Sequence, residues 1–148
     1  MATDAVVVDA SIAVKWYLPD ETDATTAQSV LIAYQSEGLA LFAPLHIRYE
    51  VPSAIAVARR RGRIGVAASE AMLASFLDLD FLLTHDDQLV REAFAAAQQY
   101  GCAFYDGLYV ALAQRLGLPF VTADRKLYDL VAFAPGTVWI ADWALPAG

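Results

Sequence analysis

The stretch VVVDASIAVKWYL, Val6 to Leu18, opens as a β-branched run, turns at Asp9 and continues as a helix. Consecutive valines suit a short strand buried on both faces. Ser11 to Leu18 then carries apolar residues at helical spacing and stops before Pro19, because proline disfavours helix in the residue that precedes it. A carboxylate therefore stands where a buried strand gives way to a helix. Asp is a favoured helix cap, so on this segment alone backbone capping accounts for Asp9 as well as chemistry does.

Outward from this unit the same order repeats. Asp23 to Ser36 reads as a helix closed at Glu37-Gly38, with Gly38 able to take the left-handed conformation, and Leu39 to Ala43 as a strand broken by Pro44. From His46 to Arg61, Ile47, Glu50, Val51, Ala54, Ile55 and Ala58 recur at helical spacing, with Pro52 expected to bend or delay the helix and Gly62 to end it. Val66 to Asp78 is helical, Phe81 to Thr84 a strand, and Asp86 to Tyr100 a helix with an acidic first turn. Tyr105 to Leu116 is a further helix; Pro119 to Thr122, Asp124 to Leu130 and Thr137 to Ile140 complete the alternation as strand, helix and strand. Such alternation predicts an α/β fold, helices layered on a mainly parallel sheet, with ligands beyond the carboxyl ends of the strands. No repeat, linker or low-complexity tract divides residues 1–148, so a single domain is expected.

Composition narrows the function classes. With 58% apolar and 18% charged residues the chain is not of disordered type, yet no charge-free run approaches the roughly 18 residues of a membrane helix. The apolar surplus, with three Trp and seven Tyr, predicts a greasy patch that a partner covers, and self-association in particular. Cys102 is alone, which leaves out disulfides and multi-cysteine zinc sites, and the start MATDAVVVD lacks the basic and long apolar segments of a signal peptide; a reducing cytoplasm is the expected compartment. A formal charge of −7 opposes a nucleic-acid partner unless local features reverse it.

Further acids bear on Asp9. Glu50 lies within a helix, partly on the face expected to be buried, where an unpaired carboxylate is costly; Arg48 or a hydroxyl would suffice as its partner. Asp106, in AFYDGLYVALA, stands at or just inside a helix start, where capping is its ordinary role. Asp124, in VTADRKL, repeats the strand-to-helix placement of Asp9. If those two strands are neighbours, Asp9 and Asp124 emerge side by side, and the helices carrying Glu50 and Asp106 can roof the same crevice. Crowded carboxylates take up protons unless a cation compensates, and Mg²⁺ or Mn²⁺ suits oxygen ligands, whereas zinc would favour His and Cys, of which the chain has only His46, His85 and Cys102.

At these residues the sequence resembles the PIN-domain family, and within it the small toxin ribonucleases of VapC type. The matching pieces are VVDASIAVKW with Asp9, RYEVPSAIAVARRRGRI with Glu50, FYDGLYVALAQRLGLPFVTADRKL with Asp106 and Asp124, and the closing TVWI, in this order over nearly the whole chain. The resemblance implies a Rossmann-like three-layer α/β/α sandwich, a four-acid Mg²⁺ or Mn²⁺ site formed by Asp9, Glu50, Asp106 and Asp124, endoribonuclease activity on structured RNA, homodimerisation and inhibition by a small antitoxin. Ser11 and Thr122 align with hydroxyls often found beside those acids. Pro52 departs from the family's usual V-x-N-A-L after the glutamate.

Metal-activated water would attack the phosphodiester and leave a 3′-hydroxyl and a 5′-phosphate. Arg59, Arg60, Arg61 and Arg63 are candidates to grip phosphates, as are Arg125 and Lys126 beside Asp124; a solvated helix end or an antitoxin-docking surface explains the first run equally. Tyr49, Tyr105, Tyr109 and the pair Trp16-Tyr17 fit base stacking but fit core or dimer interface better. His85 is given no catalytic role, and Asp86, Asp87 and Asp129 read as helix-end charges, with Asp129 the nearest of them to a part in the site. The competing readings are a catalytically silent PIN-like binding module and a small-molecule phosphatase of haloacid-dehalogenase type; the latter needs an Asp-x-Asp loop, and the second position here is Ser11.

Overall fold

Ala5–Val8 forms the middle strand, β1, and its three valines are almost fully buried, which only a strand covered on both faces requires. The computed structural model describes residues 4–18 and 22–145, so Pro19 lies outside the described residues. Around β1 lie β2 (Ala40–Pro44), β3 (Leu82–Thr84), β4 (Phe120–Thr122) and β5 (Thr137–Trp139), in the spatial order β3-β2-β1-β4-β5. Every pairing is parallel, with Val7 opposite Phe42 on one side and Phe120 on the other.

The connections are α1 (Ala10–Tyr17), α2 (Ala24–Ser36), α3 (Ile47–Arg60), α4 (Val66–Leu77), α5 (Asp87–Tyr100), α6 (Phe104–Leu116) and α7 (Arg125–Val131). Chain order runs outward from β1 to β3 and then crosses back to β4, so right-handed crossovers place α1 to α4 on one face and α5 to α7 on the other. Contacts agree: α1 packs on α2 and α3, α3 on α4, and α5 on α6, which also lies against β1 and β2. The result is the expected three-layer sandwich. Its core joins Val6, Val7 and Val8 to Ile12, Leu41, Ile47, Tyr109, Leu112 and Phe120. The order reverses between β1 and β4, and that switch point is where such sheets open a crevice for ligands.

The element limits shift slightly from the sequence reading. Pro44 does not stand outside β2 but closes it from within, in register with Thr84. Pro52 does not delay α3, which begins at Ile47 and runs through the proline; the ring deprives the Arg48 carbonyl of its i+4 donor, a loss that a helix packed on its buried Val51 and Ile55 tolerates. Gly107 is required by packing: a Cβ there would meet the Ala93 carbonyl oxygen at 2.6 Å, so its bare Cα sets how closely α6 lies on α5.

Candidate metal centre

Asp9 ends β1 and caps α1, its carboxylate accepting from the Ile12 amide at 3.4 Å. It is 5% exposed and receives two hydroxyls as well: Ser11 donates to Oδ1, and Thr122, wholly buried at the end of β4, donates to Oδ2 at 2.5 Å. Those hydroxyls are themselves held from across the switch point. The Ala123 amide donates to Ser11 Oγ at 2.9 Å and the Asp124 amide to Thr122 Oγ1 at 3.1 Å. Backbone N–H groups of the β4–α7 turn thus orient both hydroxyls toward one carboxylate. Burial nevertheless lifts the Asp9 pKa to about 7, with the charge of Asp106 adding to the rise.

Asp124 occupies the corresponding position one strand over, capping α7 through the Leu127 amide at 3.1 Å. Because β1 and β4 pair directly, the two acids emerge on adjacent strand ends, as their placement in the sequence predicted. Both cap and both face the crevice, so capping and a role in chemistry do not exclude each other. Asp106 differs. Ala103 is the N-cap residue of α6 and Asp106 is its third helical residue, with no capping bond, so the ordinary explanation for this acid fails. Burial raises its pKa, and the charges of Asp124 and Glu50 raise it further.

Glu50, in the first turn of α3, is less buried than its helical position suggested: its side chain is 37% exposed. It also has a hydroxyl partner, since Tyr109 donates to Oε1 at 2.7 Å. His46 Nε2 lies 2.8 Å from the same oxygen, but its angle is too poor for a hydrogen bond, and neither buried ring nitrogen of His46 has such a partner. The imidazole lies between Tyr105 and Tyr109, with ring centroids 5.3 and 4.9 Å away. His46 and Tyr109 are supports of Glu50 that sequence reasoning missed; the i, i+4 spacing of His46 and Glu50 was the available signal.

The four acids therefore come from four elements; the charge of Asp106 acts on Asp9, and those of Asp124 and Glu50 act on Asp106. Among the described residues no three His, Cys, Asp or Glu side chains stand close enough to enclose an ion directly. Mg²⁺ keeps several waters while taking one or two carboxylates, so a loose acidic set fits it. The donors are all oxygens, which suits Mg²⁺ or Mn²⁺ and not zinc.

The flanking groups divide. Arg125 and Lys126 follow Asp124 and are exposed at the acidic edge. Arg59, Arg60, Arg61 and Arg63 are exposed too, with Arg60 ten positions beyond Glu50 on α3, about 15 Å along the axis. Trp16 and Tyr109 are core, as expected; Tyr49 and Tyr105 are 70% and 63% exposed and are not. Asp86 caps α5 and pairs with Arg115 at 2.8 Å, a helix-end charge as read from the sequence, whereas Asp129 pairs with Arg125 at 3.3 Å.

Residues 6–132 match the PIN domain. Ribonuclease VapC3 of Pyrobaculum aerophilum is 32% identical over 126 residues, covering 84% of this chain and 92% of that protein. Ribonuclease VapC12 of Mycobacterium tuberculosis is 32% identical over 122 residues, covering 82% and 88%. Among solved structures, PAE2754 from Pyrobaculum aerophilum superposes with a TM-score of 0.68 at 28% identity, over 95% of this chain and 93% of that one. Mycobacterium tuberculosis VapC20, described as a sarcin-ricin loop cleaving toxin, shares the fold with a TM-score of 0.61 at 18% identity, over 84% and 93%.

Proposed function

The chain belongs to the PIN-domain family, and from that premise we propose that it is a Mg²⁺- or Mn²⁺-dependent endoribonuclease, the toxin half of a toxin–antitoxin pair. The observation that carries this reading is the coupling of Asp106 to Asp9, Glu50 and Asp124 across the switch point, an arrangement that costs stability and that capping does not explain. Asp9, Glu50, Asp106 and Asp124 are the acids that would hold the cation, which supplies Lewis-acid stabilisation of the phosphodiester and a water of lowered pKa. Ser11 and Thr122 fix the rotamer of Asp9, and Tyr109 that of Glu50, each through a hydroxyl donated to one oxygen and leaving the other lone pairs free. Burial of Asp9 excludes bulk water from the inner side of the site. Water rather than the 2′-hydroxyl is the nucleophile, which leaves 3′-hydroxyl and 5′-phosphate ends.

RNA enters along the strand ends past Arg125 and Lys126, and the arginines at the end of α3 meet only a substrate long enough to span that helix. A small antitoxin and a second copy of the chain are the proposed protein partners, for which exposed Val66, Leu73, Leu77, Phe94 and Tyr105 offer apolar area. The cytoplasm is the corresponding compartment; no helix among the described residues is long and apolar enough to cross a membrane. The phosphatase reading loses ground because the hydroxyl of Ser11 is committed to Asp9 and no acid takes its place.

Incubating purified, antitoxin-free protein with total cellular RNA in Mg²⁺, Mn²⁺ or EDTA, beside Asp9→Asn, tests the reading. Discrete metal-dependent fragments absent from the variant are expected. Intact RNA under all conditions, from folded protein, would make the chain a silent binding module. Release of phosphate from p-nitrophenyl phosphate with RNA untouched would make it a phosphatase.

A further inference from the structure

Beside the acids, the edge of the sheet carries an arginine held in an unusual way. The Arg125 guanidinium lies over two rings at once, 5.1 Å from the centre of Trp139 and 5.5 Å from that of Tyr128. Those rings pack on each other at 5.6 Å. Trp139 is the last residue of β5, in register with Thr122, whose hydroxyl binds Asp9. The cation is thus on the same edge as the acids, with β4 between Trp139 and the strand of Asp9, and next in sequence to Asp124.

Despite that proximity, Arg125 pairs with none of the four acids. Among the described residues its one carboxylate partner is Asp129, met by Nε at 3.3 Å on the exposed surface, and the terminal nitrogens keep their donors. A long side chain left in water samples many rotamers; contacts with two rings and one carboxylate narrow the set that this one samples. A planar fork of N–H groups fixed beside a cluster of acids matches phosphate oxygens bidentately, and a flexible ammonium in its place would not.

We propose that Arg125, held against Trp139 and Tyr128, clamps a backbone phosphate of the RNA next to the one being cut, and so sets which phosphodiester reaches the acids. This rests on the nuclease reading above. Arg125 touches the substrate; Trp139 and Tyr128 are positioning residues that act through it, and Asp129 fixes the rotation of the fork.

The test is binding of a fluorescein-labelled single-stranded oligoribonucleotide in EDTA at low salt, by anisotropy, with cleavage in Mn²⁺ measured in parallel. Arg125→Ala should weaken binding and lower the slope of log K against log salt by about 0.7, one phosphate's share. Arg125→Lys keeps the charge and the slope but should still lose about fivefold in affinity, and raise KM with kcat little changed, because the stacked fork is gone. Trp139→Leu should reproduce the lysine variant while Trp139→Phe largely restores binding, and melting curves confirm that each variant folds. Wild-type cleavage with Arg125→Lys indistinguishable in binding and KM overturns the clamp and leaves the nuclease standing. RNA binding weakened in Arg125→Lys, with no cleavage by wild type, leaves a phosphate contact at Arg125 but refutes the nuclease and, with it, the placing of that phosphate beside one being cut. Wild type that neither binds nor cuts RNA overturns both.

Discussion

Replacing Asp9 by Asn should make the metal-free protein more stable while abolishing its chemistry. Burial holds the Asp9 pKa at about 7 in the folded chain against 3.8 in its absence, a rise of roughly 3 units, each unit amounting to about 1.4 kcal/mol. The folded state therefore binds a proton that the unfolded state has released between those values. Stability falls as pH rises from about 4 to about 7 and then levels, with a total loss of about 4 kcal/mol from this group. Asn has no charge to desolvate and keeps an oxygen for the Ser11 hydroxyl, so its advantage over Asp should be about 2 kcal/mol at pH 5 and approach 4 kcal/mol at pH 8. Lost charge-assisted hydrogen bonding to Thr122 will trim both figures. Urea unfolding in EDTA at the two pH values measures the gap, and Mn²⁺ at a hundred times its dissociation constant should then restore about 2.7 kcal/mol to the wild type alone. An Asn variant no more stable than wild type at pH 8, or a gap that does not widen with pH, would refute the claim that an uncompensated charge is stored at this strand end.

Thr122→Val keeps the shape of a wholly buried residue but removes the hydroxyl between Asp9 and the Asp124 amide; Mn²⁺ affinity by calorimetry should drop about 10- to 100-fold, and an unchanged affinity would deny the hydroxyl its orienting role. Gly107→Ala drives a methyl into the Ala93 carbonyl, which must move; a cost of about 1–3 kcal/mol is expected from denaturant unfolding, and a variant as stable as wild type would show that α5 and α6 are not set by that contact. Arg115 and the Leu89 amide hold the Asp86 carboxyl down to about 2, so its stabilising contribution is complete above 3.8 and fades as pH falls through about 2. Asp86→Asn should accordingly melt lower than wild type at pH 6, with the two curves converging near pH 2; a difference that persists unaltered at pH 2 would contradict this.

The strand-end acids were legible because position alone defines them: a β-branched run followed by Asp and a helix fixes both the edge and the direction, and the valines and PFVT mark the strands. Asp106 was legible as an acid but not as an uncapping one, since whether Ala103 or Asp106 begins the helix turns on backbone angles that no residue type there dictates. Glu50 was placed correctly on α3 but given too much burial, because helical period fixes the facing residue and not the gap that the next helix leaves above it. His46 and Tyr109 escaped notice for a related reason: they support Glu50 from α3's own start and from a helix 59 residues on, a meeting made by packing. The arginine run after Glu50 looked near the acids in sequence, yet an α-helix converts those ten residues into about 15 Å of separation. Trp139 went unread because only the β4–β5 register reveals that it ends its strand beside Thr122.

The two hydroxyls that meet on Asp9 also set a time at which the enzyme can exist. Thr122 lies 113 residues after Asp9, and the amides that steer Ser11 and Thr122 follow immediately behind it. A nascent chain that has emerged as far as β3 has completed α1 to α4 but has nothing to place on the far side of β1. Its first acid has Glu50 but neither Asp106 nor Asp124 beside it, and its crevice has one wall. Translation thus delivers the cutting edge last, so a ribosome carries an inert polypeptide through most of synthesis and releases a nuclease only when the final third is out.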